Sequence, residues 1–166
     1  MVPESETTHR TNQNGAVDVT AELDAPCPPD VLFAWVSDLG RYPDWLDIVP
    51  RAVPLDDGAQ ERPAWSVDLR GRLGPFARSK RLRMERTVCD EPSRQVRFER
   101  VEHDGRSHAP WVLTADVSET SDGSRLTMHL HYGGGLFGPV IERLLSDEIE
   151  RSRPRLLACV RRPVEE

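Results

Sequence analysis

A chain of 166 residues is long enough for one domain with a real hydrophobic core, and nothing in it calls for a second. With 28 acidic residues against 22 Lys and Arg the net charge is −6, which argues against a general nucleic-acid binder and against broad attraction to anionic membranes. The opening MVPESETTHR lacks the apolar run of a signal peptide and no later stretch approaches the roughly 20 apolar residues of a membrane span, so a soluble, cytoplasmic protein is expected.

Residues 1–15 hold almost no large apolar side chain and read as a flexible tail, because ordering them is repaid by nothing. From Val17 the chain alternates, with Val19, Ala21 and Leu23 on one side and Asp18, Thr20, Glu22 and Asp24 on the other, the period of a half-buried strand. Ala25 to Pro29 break it, and a proline in the first helical turn opens a helix. Val31, Leu32, Trp35, Val36 and Leu39 make its apolar stripe, and Gly40 suits a left-handed C-terminal cap. Arg41-Tyr42-Pro43-Asp44-Trp45 reads as a short second helix or turn ending before Pro50.

The middle of the chain alternates again. Trp65, Val67, Leu69 and Leu73 share one parity, Leu82, Met84 and Val88 another, and further strands centre on Val96 and Phe98, on Trp111 to Val117, and on Leu126 to Tyr132. The connections are too short for parallel crossovers, so an antiparallel meander follows. After Gly133-Gly134-Gly135 the period turns helical, with Ile141, Leu144, Leu145, Ile149, Leu156 and Val160 on one side. Pro154 is expected to kink or split this helix. Cys27, Cys89 and Cys159 are odd in number, far apart and without metal-ligand spacing, so they read as reduced thiols.

The stretches AELDAPCPPDVLFAWVSDLGRYPDWLDIVP, SRLTMHLHY and LFGPVIERLLSDEIERSRPRLLACV carry a resemblance. Through them the chain resembles the START-like (SRPBCC) superfamily, in particular its polyketide cyclase/dehydrase and lipid-transport branch, over residues 16–162 taken as a single domain. The resemblance implies an α+β helix-grip fold: a curved antiparallel sheet of about seven strands wraps a long C-terminal helix, with two short helices after the first strand. A deep apolar cavity between sheet and helix goes with that fold, but no single activity does.

Inward parity then assigns the walls to Trp35, Trp65, Leu69, Met84, Phe98, Trp111, Leu113, Met128 and Tyr132. Arg86 and Arg100 share the inward parity, and each needs a carboxylate, carbonyls or an anionic ligand group, with Glu102 and Glu148 as candidate partners. The leading reading is a binding protein for a hydrophobic small molecule. The enzyme alternative is a polyketide aromatase/cyclase in which Arg86 or Arg100 steadies an enolate and Tyr132 or a water moves protons. A third is a protein-interaction module of toxin-antitoxin or ribosome-associated type, using an outward patch of Arg70, Arg72, Arg81 and Arg83. His129 and His131 share one side of the last strand but lack an acidic partner nearby in sequence, so a solvated outer face is expected, with no metal and no cofactor.

Overall fold

The computed structural model describes residues 7–11, 16–56, 62–73, 75–134 and 138–162. Its strands are β1 (Thr7–Thr11), β2 (Val17–Ala25), β3 (Arg51–Leu55), β4 (Ala64–Leu73), β5 (Phe76–Asp90), β6 (Gln95–Arg100), β7 (Trp111–Thr120) and β8 (Gly123–Tyr132). They form one antiparallel sheet in the order β1-β2-β8-β7-β6-β5-β4-β3. The meander therefore returns to its start: β8 pairs with β2 from Val17↔Tyr132 to Ala25↔Ser124. Alternation drives this, since Val17, Val19, Leu23 and Ala25 are buried while Asp18 and Asp24 stay partly exposed.

The sheet has eight strands where about seven were expected, and two of the eight were not marked by the sequence pattern. β3 follows the short helices directly, and β1 lies within the stretch read as a tail; the rest of residues 1–15 lies outside the described residues. TTHRT has no apolar alternation to betray a strand. It is held by backbone pairing to β2, which needs no side-chain pattern, and Thr7 accepts a hydrogen bond from Arg153 at 2.7 Å.

Between β2 and β3 lie helix α1 (Pro29–Val36) and a 3-10 helix, Leu39–Asp44. Pro29 opens α1, and Leu32, Phe33 and Val36 bury its inner face. Gly40 does not adopt the left-handed conformation. It stands in the 3-10 helix, where its N–H donates to the Asp38 carboxylate at 2.8 Å, so the local break is made by an aspartate cap. Tyr42 is the hub of this corner: it is 1% exposed, packs on Trp45 and Phe98 at centroid distances of 4.7 and 6.2 Å, and donates from its hydroxyl to the Val36 carbonyl at 2.8 Å. Burial pushes its phenol well above the usual range, and the charge of Asp38 adds to that.

Helix α2 (Gly138–Val160) crosses the face that carries Val19, Val67 and Met84. Pro154 lies inside it without splitting it. Two glycines mark close approaches. A Cβ on Gly71 would meet Leu144 of α2 at 2.5 Å, and one on Gly123, at φ 151°, would come within 2.2 Å of the Ala25 carbonyl.

Two outcomes follow. Tyr42→Phe removes the hydroxyl and leaves the buried Val36 carbonyl without its partner, so chemical denaturation should register a loss of about 1–2 kcal/mol. Asp24, Asp68 and Asp104 are held below the ordinary value of 3.8, by hydrogen bonds from Arg125, from Arg81 and from the Arg106 backbone with His108 respectively. Because their folded values are depressed, their stabilisation is complete above that value and lost as pH falls through the folded values. The melting temperature should therefore drop on acidification below about pH 4.

Candidate functional site

Helix α2 does not lie flat on the sheet. Between them is a cavity of about 160 Å³ whose wall is almost wholly apolar. β2 contributes Val19, Ala21 and Leu23, β5 Leu82 and Met84, β8 Leu126, Met128 and Leu130, and α2 Leu145, Ile149 and Leu156. Leu39, Tyr42, Trp45 and Ile48 close one end, so the corner between β2 and β3 serves as the end wall.

Of the residues assigned from parity, Leu69, Met84, Trp111, Leu113 and Met128 stand in this wall. Trp65 and Phe98 do not. They pack edge to face at 5.7 Å, and with Tyr42 they fill the neighbouring part of the same face solidly. Tyr132 is not in the wall either; its ring packs 4.5 Å from that of Trp111, which is. Trp35 is half-buried away from the cavity, where Arg41 sits 5.1 Å over its ring, and Phe33 takes the buried position on α1 instead.

The two inward arginines are also placed outside the cavity wall. Arg86 donates to the Ser37 carbonyl at the C-terminal end of α1 at 2.9 Å and lies 5.8 Å over the Trp65 ring. Its charge is met by the helix dipole and an aromatic face. Arg100, with a side chain 6% exposed, donates to Glu102 at 3.1 Å and to the Ala109 carbonyl at 3.5 Å, and lies 3.2 Å from His108 Nδ1. It organises the connection from β6 to β7.

Two charged groups of α2 also stand in the wall. Arg153 is partnered on all three nitrogens: Nε by Glu150 at 3.2 Å, Nη1 by the Glu22 carbonyl, and Nη2 by Thr7 at 2.7 Å. Glu148 is 8% exposed; its Oε1 takes Arg151 Nη2 at 2.5 Å, while Oε2 is buried without a hydrogen-bond partner. The helical period allows Glu148 to face the sheet, whereas nothing in it singles out Arg153, whose charge reads as solvated.

Outside the cavity, His129 and His131 do meet an acid that sequence distance concealed. Asp18 of β2 comes within 3.1 and 2.9 Å of them, across the β2–β8 pairing. Among the described residues no group of three or more His, Cys, Asp or Glu side chains is arranged to hold a metal ion. Of the expected basic patch, Arg70 is exposed and Arg81 is exposed but paired with Asp68 at 2.6 Å. Arg83 is not on the surface. It is 9% exposed and bonded to Glu85 at 2.7 Å and to the Val101 carbonyl at 3.1 Å, because the chain runs on past Arg100 alongside it. The Arg72 side chain lies outside the described ones. Among the described residues no helix is long and apolar enough to cross a membrane.

The family model described as polyketide cyclase/dehydrase and lipid transport matches residues 16–158. No curated protein matches the sequence. Among solved structures, the protein TTHA0849 from Thermus thermophilus is 20% identical, with 86% of this chain and 93% of that one covered and a TM-score of 0.63. A START superfamily protein from Mycobacterium smegmatis is 18% identical, with 92% and 97% covered and a TM-score of 0.59. The di-domain ARO/CYC BexL from the BE-7585A biosynthetic pathway is 13% identical, with 92% of this chain but 53% of that one covered and a TM-score of 0.66. At these identities the likeness is one of fold.

Because Arg86 is spent on Ser37 and Trp65, Arg86→Met should lower unfolding stability by about 1.5–3 kcal/mol, the range for a hydrogen bond from a charged donor. Titration with an apolar probe should find the affinity of the folded variant within two-fold, roughly, of the parent.

Proposed function

The chain belongs to the polyketide cyclase/dehydrase and lipid transport family, of the START-like superfamily, and from that premise we propose that it binds a small hydrophobic molecule between α2 and the sheet. The observation that carries this reading is the apolar cavity itself. Native interiors pack as densely as organic crystals, so an apolar hollow of that size between helix and sheet is unfavourable unless something fills it.

Its volume also sets the scale of the occupant. About 160 Å³ compares with the roughly 150 Å³ of an engineered apolar cavity that takes up benzene. A single ring or a short branched chain fits. Burying about 150–200 Å² of such a ligand at ~25 cal/mol per Å² supplies roughly 4–5 kcal/mol, which corresponds to millimolar to submillimolar affinity.

The cyclase reading is weaker on two counts. An extended poly-β-keto chain exceeds this volume, and both guanidiniums proposed to steady an enolate are engaged elsewhere. The interaction-module reading loses Arg83 to the interior and has Arg81 already paired.

Leu113→Trp tests the proposal by filling the cavity from β7. Toluene should bind the parent protein with millimolar or better affinity, measured by ligand-observed NMR, and the variant at least ten-fold more weakly, with a melting temperature equal or higher. Absence of toluene uptake by the parent would overturn the reading.

A further inference from the structure

Most borders of the cavity resist opening. The strands behind it are locked to one another by backbone ladders. The end wall is packed aromatic against aromatic, with the Tyr42 ring 4.7 Å from that of Trp45. On the β4 side α2 closes directly on the backbone, since a Cβ on Gly71 would meet Leu144 at 2.5 Å. Parting any of these breaks several hydrogen bonds or exposes apolar surface to water.

The seam between β2 and α2 is closed differently, by a long side chain that runs from the cavity to the surface. Arg153 stands in the cavity wall, and because that wall is almost wholly apolar it is the methylene stem that lines it. The guanidinium is carried away toward β1. Its Nη2 donates to Thr7 Oγ1 at 2.7 Å, and Thr7 donates in turn to Glu150 Oε1 at 3.3 Å, the oxygen that also accepts from Arg153 Nε at 3.2 Å. The Arg153 side chain is 11% exposed and that of Glu150 60%, so this small network is the partition between the hollow and solvent.

Swinging Arg153 outward costs less than opening the other borders. Glu150 stands on the same helix and moves with it. The hydrogen bonds given up are those to Thr7 and to the Glu22 carbonyl, and at the surface water replaces them. β1 adds little resistance: it is the outermost strand, its five residues are polar, and Thr8 and Arg10 are exposed, so its local opening uncovers no core side chain of its own.

We propose that a ligand reaches the cavity through the seam between β2 and α2, and that Arg153 held by Thr7 is the latch that closes it. This rests on the binding reading above and adds the route to the site. Thr7 is not part of the cavity wall, so its bond to Arg153 governs the rate of exchange rather than the affinity. While the closed form predominates, weakening the latch raises entry and exit alike.

The test follows exchange of fluorobenzene, a single ring, by fluorine NMR line shape and relaxation dispersion on the full chain. Thr7→Val preserves the shape of β1 and removes the acceptor; entry and exit rates should both rise at least about five-fold while the dissociation constant stays within about two-fold. Arg153→Met keeps an apolar stem without the guanidinium and should accelerate exchange at least as much. The double variant should be no faster than Arg153→Met, because both changes break one contact. Arg155→Ala removes a different polar tie of α2, the one to Asp47, and should leave the rates unchanged. Should Arg153→Met fail to fold, Thr7→Val against Arg155→Ala decides the matter. Unchanged rates in Thr7→Val overturn the latch, as does an Arg155→Ala protein that exchanges equally fast, since the helix then loosens as a whole. In either case uptake by the parent leaves the hydrophobic-binding reading standing; a parent that takes up no fluorobenzene overturns both.

Discussion

The guanidinium of Arg153 is the contact on which the arrangement of helix and sheet depends. Burying it costs several kcal/mol of hydration unless every donor is met. Here each nitrogen is met by a different part of the molecule: Glu150 one turn earlier on α2, the Glu22 carbonyl on β2 and Thr7 on β1. One side chain thus joins the last helix to the first two strands. Two residues on, Arg155 pairs with Asp47, which ties α2 to the segment leading into β3. Along its C-terminal half the helix is held by these polar contacts together with buried Leu156, Cys159 and Val160, and the cavity lies beside Ile149 and Leu156.

The concave face is divided by chemistry. Toward α1, Tyr42, Trp65 and Phe98 interlock at centroid distances of 5.7 and 6.2 Å, and Arg86 covers Trp65. This half is solid. Toward β2 and β8 the side chains are leucine, methionine, valine and alanine, whose smaller volumes leave the cavity unfilled. The aromatic half gives rigidity to the end wall, since Tyr42 and Trp45 belong to both halves. A cavity walled in this way is preformed, which would lower the ordering cost of binding the proposed ligand.

Much of the fold was legible because one face of nearly every strand is buried and the other is not. Alternation at Val17 to Leu23 and at Leu126 to Tyr132 marked the two strands whose pairing brings the end of the meander back to its start. β1 was not legible, as its five polar residues carry no apolar alternation and are held by backbone pairing to β2 and by the hydrogen bond from Arg153 to Thr7. The same parity that found Met84 and Leu113 misplaced Trp65 and Phe98, because facing inward does not distinguish a residue that lines a cavity from one packed into the core beside it. Arg86 and Arg100 faced inward by parity, yet their long side chains reached carbonyls and a carboxylate away from the cavity.

What the sequence determined alone is the architecture: a single antiparallel sheet, a proline-opened helix and a tyrosine-containing corner after β2, and a long amphipathic helix at the end. Periodicity and turn chemistry are local properties, and they survive reading without coordinates. Tertiary structure alone decided which charges are interior. Arg83 sits at a position whose parity points to solvent and is buried beside Glu85 and Val101. Arg153 lies on a helix whose charges read as solvated, yet it stands in the cavity wall with Glu148. The reason is that burial of a charge depends on partners far away in sequence. Asp18 with His131 lies 113 residues apart and Thr7 with Arg153 lies 146 apart, and only the folded chain brings such pairs together.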